Sequence, residues 1–557
     1  MTFRMRRALA GRLLLGVMAF LPALADAKQL WLIGGEDPIC SSTEPELCVG
    51  EKRDEAERYF QESQALRANR FRYSDAGRQK IAAFKTWIGG LPRQSAVLAG
   101  LDTLPPRLRG NAFGESEWHE LLAPIKLDAE EQALVDDVFQ VRPLRRDGRT
   151  QREEVFLEAS EPTMQAIYRD FVAAAANNPQ RKDKSGRPRV VVLTSSSNDV
   201  FASVDYYLAL FEAAGAEARW LPLEPALIRA GDCDELEALR FRWNGVTGRA
   251  AIHPEWAEYQ RDFCLHPERL SELVESADAF FFNGGDQSLT MRSLQLEPGE
   301  FTPLASRLLA RVEGGIPLGG TSAGNAVQAG NKAGTIPMIS GGTSEHALQF
   351  GALAVEANGR LCEMNGNCTM RGDPDQLTYL ARGGLGVFTL GVTDSHFHES
   401  QREGRLLRLL FDSGARLGLG IDEATALKAE FVDDNHADLH VFGKGGVWIV
   451  DTAGASATKG GGLWAAHGFH ASRLLAGDSA RWRDGELEVV LDCGNSVSSD
   501  AKPADQEVGL ARAIGDRWAR MPGSAPTAAC KRLDGNWRYA KIPMQLLPKR
   551  QVSIPPR

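Results

Sequence analysis

Residues 316–330 read IPLGGTSAGNAVQAG: a short apolar run, a glycine pair, then Gly320, Thr321, Ser322, Ala323 and Gly324 opening a helix-prone stretch. This is the G-x-S-x-G spacing of a nucleophile elbow. Small residues there let a strand turn sharply into a helix and lift a serine hydroxyl clear of the backbone. The chain carries 56 glycines, so the spacing alone arises easily and its neighbours must decide what it means.

Outward from the elbow, buried strands and amphipathic helices alternate. KQLWLIGG (28–35) is a continuous apolar run ending in glycines, followed by Glu36 and Asp37. RPRVVVLTSS (187–196), ARWLPL (218–223) and DAFFFNGG (278–285) are further strands. FASVDYYLALFEAAG (201–215), ERLSELVESA (268–277) and FTPLASRLLARVEGG (301–315) are helices between them. Such alternation predicts an α/β fold with a parallel sheet covered on both faces. Function in such sheets gathers at the carboxyl ends of the strands, where Gly34-Gly35, Gly284-Gly285 and Gly319-Gly320 all fall. One crevice is expected to hold all three.

Two stretches interrupt the alternation. Residues 40–187 are charged and helix-prone, as in DEAERYFQESQALRANRF (54–71) and DAEEQALVDDVFQ (128–140), and read as a mostly helical insertion after a first strand segment at 28–39. A sub-insertion at 224–267 sits within the α/β core of 188–455, and residues 456–557 form a C-terminal extension.

Residues 1–27 carry Arg4, Arg6, Arg7 and Arg12, then an apolar stretch, then Ala25-Asp26-Ala27 as a small-x-small cleavage site. This reads as a signal peptide with a mature start at Lys28, predicting a secreted or periplasmic protein with no membrane span after cleavage. All eight cysteines follow that point in close pairs: Cys40/Cys48, Cys233/Cys264, Cys362/Cys368 and Cys493/Cys530. Local disulfides are the simplest reading. With no C-x-x-C pair, no metal and no cofactor are assigned. The net charge of −9, with both signs interspersed, gives no reason to expect a nucleic acid partner.

A serine hydroxyl needs a base, and the base a partner that fixes its tautomer. GVFTLGVTDSHFHESQREGRLLRLL (386–410) places His396 just past an apolar strand, and LGLGIDEATALKAE (417–430) offers Asp422 and Glu423 after another. His396 is the preferred base. The order of an α/β-hydrolase esterase would instead pair Glu423 or Asp422 with His436, His440, His467 or His470, which sit in polar or glycine-rich stretches with the look of loops. Asp394, His396 and His398 alternate along the strand end and also read as a metal-ligand set.

NGGDQ (283–287), GGTSAG (319–324), DSHF with REGRL (394–397, 402–406) and GLGIDEATAL (418–427), in that order, resemble the cyanophycinase family of serine peptidases, relatives of the aspartyl dipeptidases. The resemblance implies a three-layer, flavodoxin-like sandwich close to the class I glutamine amidotransferase core. It implies Ser322 as nucleophile, His396 as base and Glu423 as orienting acid. The N–H groups of Ala323 and Gly285 would form the oxyanion hole, and Gln287, Asp394, Arg402 and Arg405 would line the substrate pocket. The implied reaction is hydrolysis of cyanophycin, a polyaspartate bearing arginine on each side chain, to β-aspartyl-arginine dipeptides. A homodimer is also an expectation of the resemblance. Ser395 stands where the family has glutamine and Ser400 where it has an arginine, so hydrolysis is better supported than this substrate. A non-catalytic binding module on the same fold is the remaining alternative.

Overall fold

The structure, a computed structural model, describes residues 27–54, 56–57, 60, 70–145, 147–370, 373–460, 463–493, 518–522, 528–531 and 537–548. The expected leader lies, but for residue 27, outside them. Fourteen strands carry the argument: β1 (Lys28–Ile33), β2 (Arg189–Leu193), β3 (Glu217–Trp220), β4 (Ala279–Phe282), β5 (Leu318–Thr321), β6 (Val392–Asp394), β7 (Leu417–Ile421), β8 (Thr425–Asp433), β9 (His436–Gly443), β10 (Gly446–Asp451), β11 (Leu463–Leu475), β12 (Ser479–Arg483), β13 (Glu486–Val490) and β14 (Trp537–Pro548).

The main sheet has nine strands in the order β13-β12-β9-β8-β1-β5-β4-β2-β3. From β3 to β1 every neighbouring pair is parallel. From β1 to β13 every pair is antiparallel. The sheet is therefore mixed, where the alternating sequence pattern predicted a parallel one. Strands β8 and β9 and then β12 and β13 return on themselves instead of crossing over a helix.

Alternating residues of the parallel strands feed two separate cores. Trp31, Ile33, Val190, Val192 and Phe281 pack with Phe171 and Phe211 on one face, under the helices Pro162–Asn177 and Val204–Ala213. Leu30, Leu32, Val191, Phe280 and Phe282 pack with Val274, Leu308 and Val312 on the other, under Glu268–Ser276 and Pro303–Glu313. Full burial on both faces is why these strands read as unbroken apolar runs. The helix Pro162–Asn177, grouped with the insertion in the sequence, thus belongs to the core layers.

The helices Asp75–Ala83, Leu91–Asp102, Glu115–Leu122 and Ala129–Phe139 enclose a core of their own around Trp118, Tyr73, Leu134 and Phe139. Disulfides join Cys40 to Cys48, Cys233 to Cys264 and Cys362 to Cys368. Cys493 is also disulfide-bonded, and the side chain of Cys530 lies outside the described residues. A second sheet runs β6-β7-β10-β11-β14 and on to Trp518–Pro522. His436 and His440 lie on β9, and His467 and His470 on β11, so all four belong to regular strands and not to the loops expected for them. Among the described residues no helix is long and apolar enough to cross a membrane.

Candidate active site

Strand β5 ends at Thr321, and Ser322 follows at φ 53°, ψ −110°, ahead of the short helix Ala323–Ala326. A non-glycine residue in this region costs about 1–3 kcal/mol and is held only by strong local constraint. Here the Ser322 N–H donates to the Ile33 carbonyl at 2.9 Å. A Cβ on Gly320 would lie 2.1 Å from the Gly324 carbonyl oxygen, and one on Gly324 would lie 2.3 Å from that of Phe282. Only glycines allow the turn to close this tightly.

The base arrives from the second sheet. Strand β6 ends at Asp394, and the His396 N–H, at φ 44°, donates to the Gly34 carbonyl at 2.8 Å. A Cβ on Gly35 would lie 2.4 Å from the His396 ring, so the glycine pair after β1 makes room for the imidazole. Ser322 Oγ lies 2.7 Å from His396 Nε2, and His396 Nδ1 lies 2.9 Å from Glu423 Oε1. Three residues distant in sequence thus form one hydrogen-bonded chain at the carboxyl edge of the sheet. The geometry suits transfer of the serine proton to imidazole, with the carboxylate holding Nδ1–H.

The neighbouring acid, Asp422, is turned the other way. Its oxygens accept from the N–H groups of His398 and Gly446 and from Arg473 at 2.7 Å. The metal set read from the sequence does not assemble either: Asp394 is bound by Arg405, and His398 Nδ1 meets Glu403 at 3.1 Å. Among the described residues, Glu36, His396 and Glu423 are the group that could hold a metal ion, with one ligand atom each within 4.8 Å of one another.

A cavity of about 530 Å³ opens beside Ser322, and its lining includes Gly285, Gln287, Ala323, Asp394, Ser395, Arg402 and Arg405. Ala323 begins a helix, so its N–H has no intrahelical acceptor. The Gly284-Gly285 turn stands alongside, for a Cβ on Gly284 would lie 3.8 Å from Ser322 Oγ. Gln287 Nε2 donates to the carbonyls of Ile339 and Ser340 at 2.7 and 3.1 Å.

The two arginines differ. Arg405 is buried and forms a bidentate pair with Asp394 at 2.8 and 2.6 Å, and it also donates to the Gly342 carbonyl. Arg402 donates to the Ser395 carbonyl at 2.8 Å and comes no nearer than 3.8 Å to Asp394. Burial, then the adjacent Arg405, push its guanidinium down to about 10, against the pull of Asp394 and Glu423. A cation so placed gains from the arrival of an anion. Ser395 is buried and Ser400 exposed.

Ser340, Gly341, Gly342, Thr343 and Pro374 also line the cavity, from stretches that carry no motif. Asp37, just after the KQLWLIGG run, belongs to no motif either.

No family model matches the chain. Among curated proteins it is similar to the cyanophycinase of Geminocystis herdmanii, with 36% identity over 191 residues, covering 34% of this chain and 55% of that protein. Similarity to the cyanophycinase of Nostoc sp. is 33% over 193 residues, covering 34% and 51%. The chain therefore spans about half the length of the curated relatives it matches. Among solved structures, a peptidase from an acI-B1 Actinobacterium aligns with a TM-score of 0.30 and 18% identity, covering 57% of this chain and 91% of that one. Over about a third of its length, the chain is cyanophycinase-like.

Proposed function

We propose that the chain is an exported serine exopeptidase of the cyanophycinase type, which hydrolyses cyanophycin or related β-aspartyl amides through an acyl-enzyme on Ser322. His396 takes the hydroxyl proton as the carbonyl is attacked and returns it to the leaving amine, while Glu423 steadies the imidazolium. The N–H groups of Ala323 and Gly285 receive the oxyanion, an arrangement whose loss typically costs ~10²-fold or more in rate. Arg402 binds a substrate carboxylate, Asp394 and Arg405 shape the wall behind it, and Gln287 closes the floor. The flavodoxin-like reading of the core is retained for the parallel strands.

The observation that carries this reading is the Ser322, His396 and Glu423 hydrogen-bond chain, at 2.7 and 2.9 Å, on a backbone-strained serine. The disulfides favour an oxidising compartment and so support export. The test is incubation with insoluble cyanophycin and mass spectrometry of the soluble products, beside the Ser322→Ala chain. Release of β-aspartyl-arginine by the parent alone is the expected result. No release, with Ser322 still labelled by a fluorophosphonate, would move the substrate to another amide or ester and leave the nucleophile standing.

A further inference from the structure

The loop after β1 carries a carboxylate that the proposed reaction does not use. Asp37 Oδ2 accepts from the Tyr168 hydroxyl at 2.5 Å and from the Thr321 hydroxyl at 3.1 Å. Thr321 is the residue immediately before Ser322, and Tyr168 sits on the helix Pro162–Asn177. Asp37 Oδ1 is buried with no hydrogen-bond partner among the described residues, so one oxygen of the carboxylate is left uncompensated. Burial pushes the Asp37 carboxyl up, the Tyr168 and Thr321 hydroxyls pull it back, and the charge of His396 pulls in the same direction as the hydroxyls.

Resting on the reading of Ser322 as nucleophile, we infer that Asp37 is a positioning residue for its chemistry: tied to Tyr168, it holds the elbow through the Thr321 hydroxyl. The elbow is a strained turn, and strain of this kind persists only where contacts over-determine it. The Ser322 N–H is held by Ile33, and Asp37 adds a side-chain hold one residue earlier.

Around His396 stand Glu36 from the loop after β1, Ser322 after β5 and Glu423 after β7; Arg402 lines the same cavity. On its own segment, His398 is turned to Glu403, and Glu399 accepts the Glu423 N–H. Removing the Asp37 charge leaves Glu423 on His396 Nδ1, so the base keeps its partner while the elbow loses its hold.

Asp37→Asn keeps the shape and removes the charge. It should lower kcat about tenfold or more with KM held within about twofold, and lower the fluorophosphonate labelling rate of Ser322 in step. Should Asp37→Asn fail to fold, Thr321→Ser and Thr321→Val give the same answer: serine keeps the hydroxyl and the parent rate, and valine loses both. Equal damage from Ser and Val, or an Asp37→Asn chain with parent kcat, overturns the inference. A parent that labels but leaves cyanophycin untouched removes the proposed substrate and still lets labelling read Asp37. A parent that neither labels nor turns over removes the nucleophile, and the inference with it.

Discussion

The antiparallel strands and the carboxyl ends of the parallel strands treat buried polar groups in opposite ways. In the antiparallel part, cations are closed on carboxylates: Arg473 on Asp422 at 2.7 Å, Arg538 on Asp478 at 2.7 Å, and Arg416 on both oxygens of Asp451 at 2.9 and 2.8 Å. Beyond the ends of the parallel strands, groups stay open: Ser322 is strained, Ala323 has no helical acceptor, and Arg402 has one carbonyl. Closed pairs hold a fold together but cannot receive a reactant. The open groups mark where one can enter, since a buried polar group left short of partners is rare without a use.

Breaking the open side at its centre should have the largest effect. Ser322→Ala is expected to lower turnover by ~10⁴-fold or more, with the thermal unfolding profile unchanged. Activity at the parent rate would end the reading of this serine. Next comes the contrast between adjacent acids, one on each side of the comparison. Glu423→Gln should cost ~10²- to 10⁴-fold in kcat by loosening the His396 tautomer, without changing the melting temperature. Asp422→Asn leaves Arg473 buried and unpaired, which costs about 3 kcal/mol of stability, while the folded fraction keeps near-parent kcat. Swapped outcomes would mean that Asp422, not Glu423, serves the base.

The two pocket arginines sharpen the same contrast at smaller scale. Arg402→Ala should raise KM about tenfold or more by removing a charge-assisted contact worth ~1.5–3 kcal/mol, with little change in stability. Arg405→Ala should act mainly on stability, because Asp394 is 1% exposed and loses both hydrogen bonds of its bidentate pair. Substrate saturation curves alongside thermal melts distinguish the two. If Arg405→Ala changed only KM, the bidentate pair would be part of the binding surface.

How much of this was legible from residues follows from the same division. Parallel strands buried on both faces leave apolar runs cut off by glycine, so 28–35, 278–285 and 316–320 announced both the sheet and the crevice at its edge. Strand β9 buries one face only. In HADLHVFG (436–443) the outward residues are polar, and the segment looked like a loop until β8 and β12 were seen on either side. Arg405 reads from sequence as a pocket cation, and its burial against Asp394 depends on a contact 11 residues away that no periodicity encodes. Asp37 needed Tyr168, 131 residues on, before its position meant anything.

The smallest expected effect lies in how the two regions respond to pH. Asp205, on the helix Val204–Ala213 beside the parallel strands, is pushed up to about 6 by burial, with Arg152 and the Trp256 N–H opposing too weakly to prevent it. The folded chain then holds a proton that the unfolded chain has released, so stability falls as pH rises from about 4 to about 6 and stays lower above. Asp451, in the antiparallel part, is also pushed up by burial, but Arg416 and the Ala453 N–H outweigh that and hold it below 3.8. Its contribution is present above that value and disappears as the carboxylate protonates. Asp205→Asn should therefore melt higher than the parent at pH 7.5 and match it near pH 4. Asp451→Asn should melt lower than the parent at pH 7.5 and approach it as pH falls below about 3.5. Melting curves for both variants across that range should diverge from the parent in opposite directions at neutral pH. Divergence in the same direction would show that Asp205 is paired as fully as Asp451, and that the distinction between open and closed regions does not extend beyond the crevice.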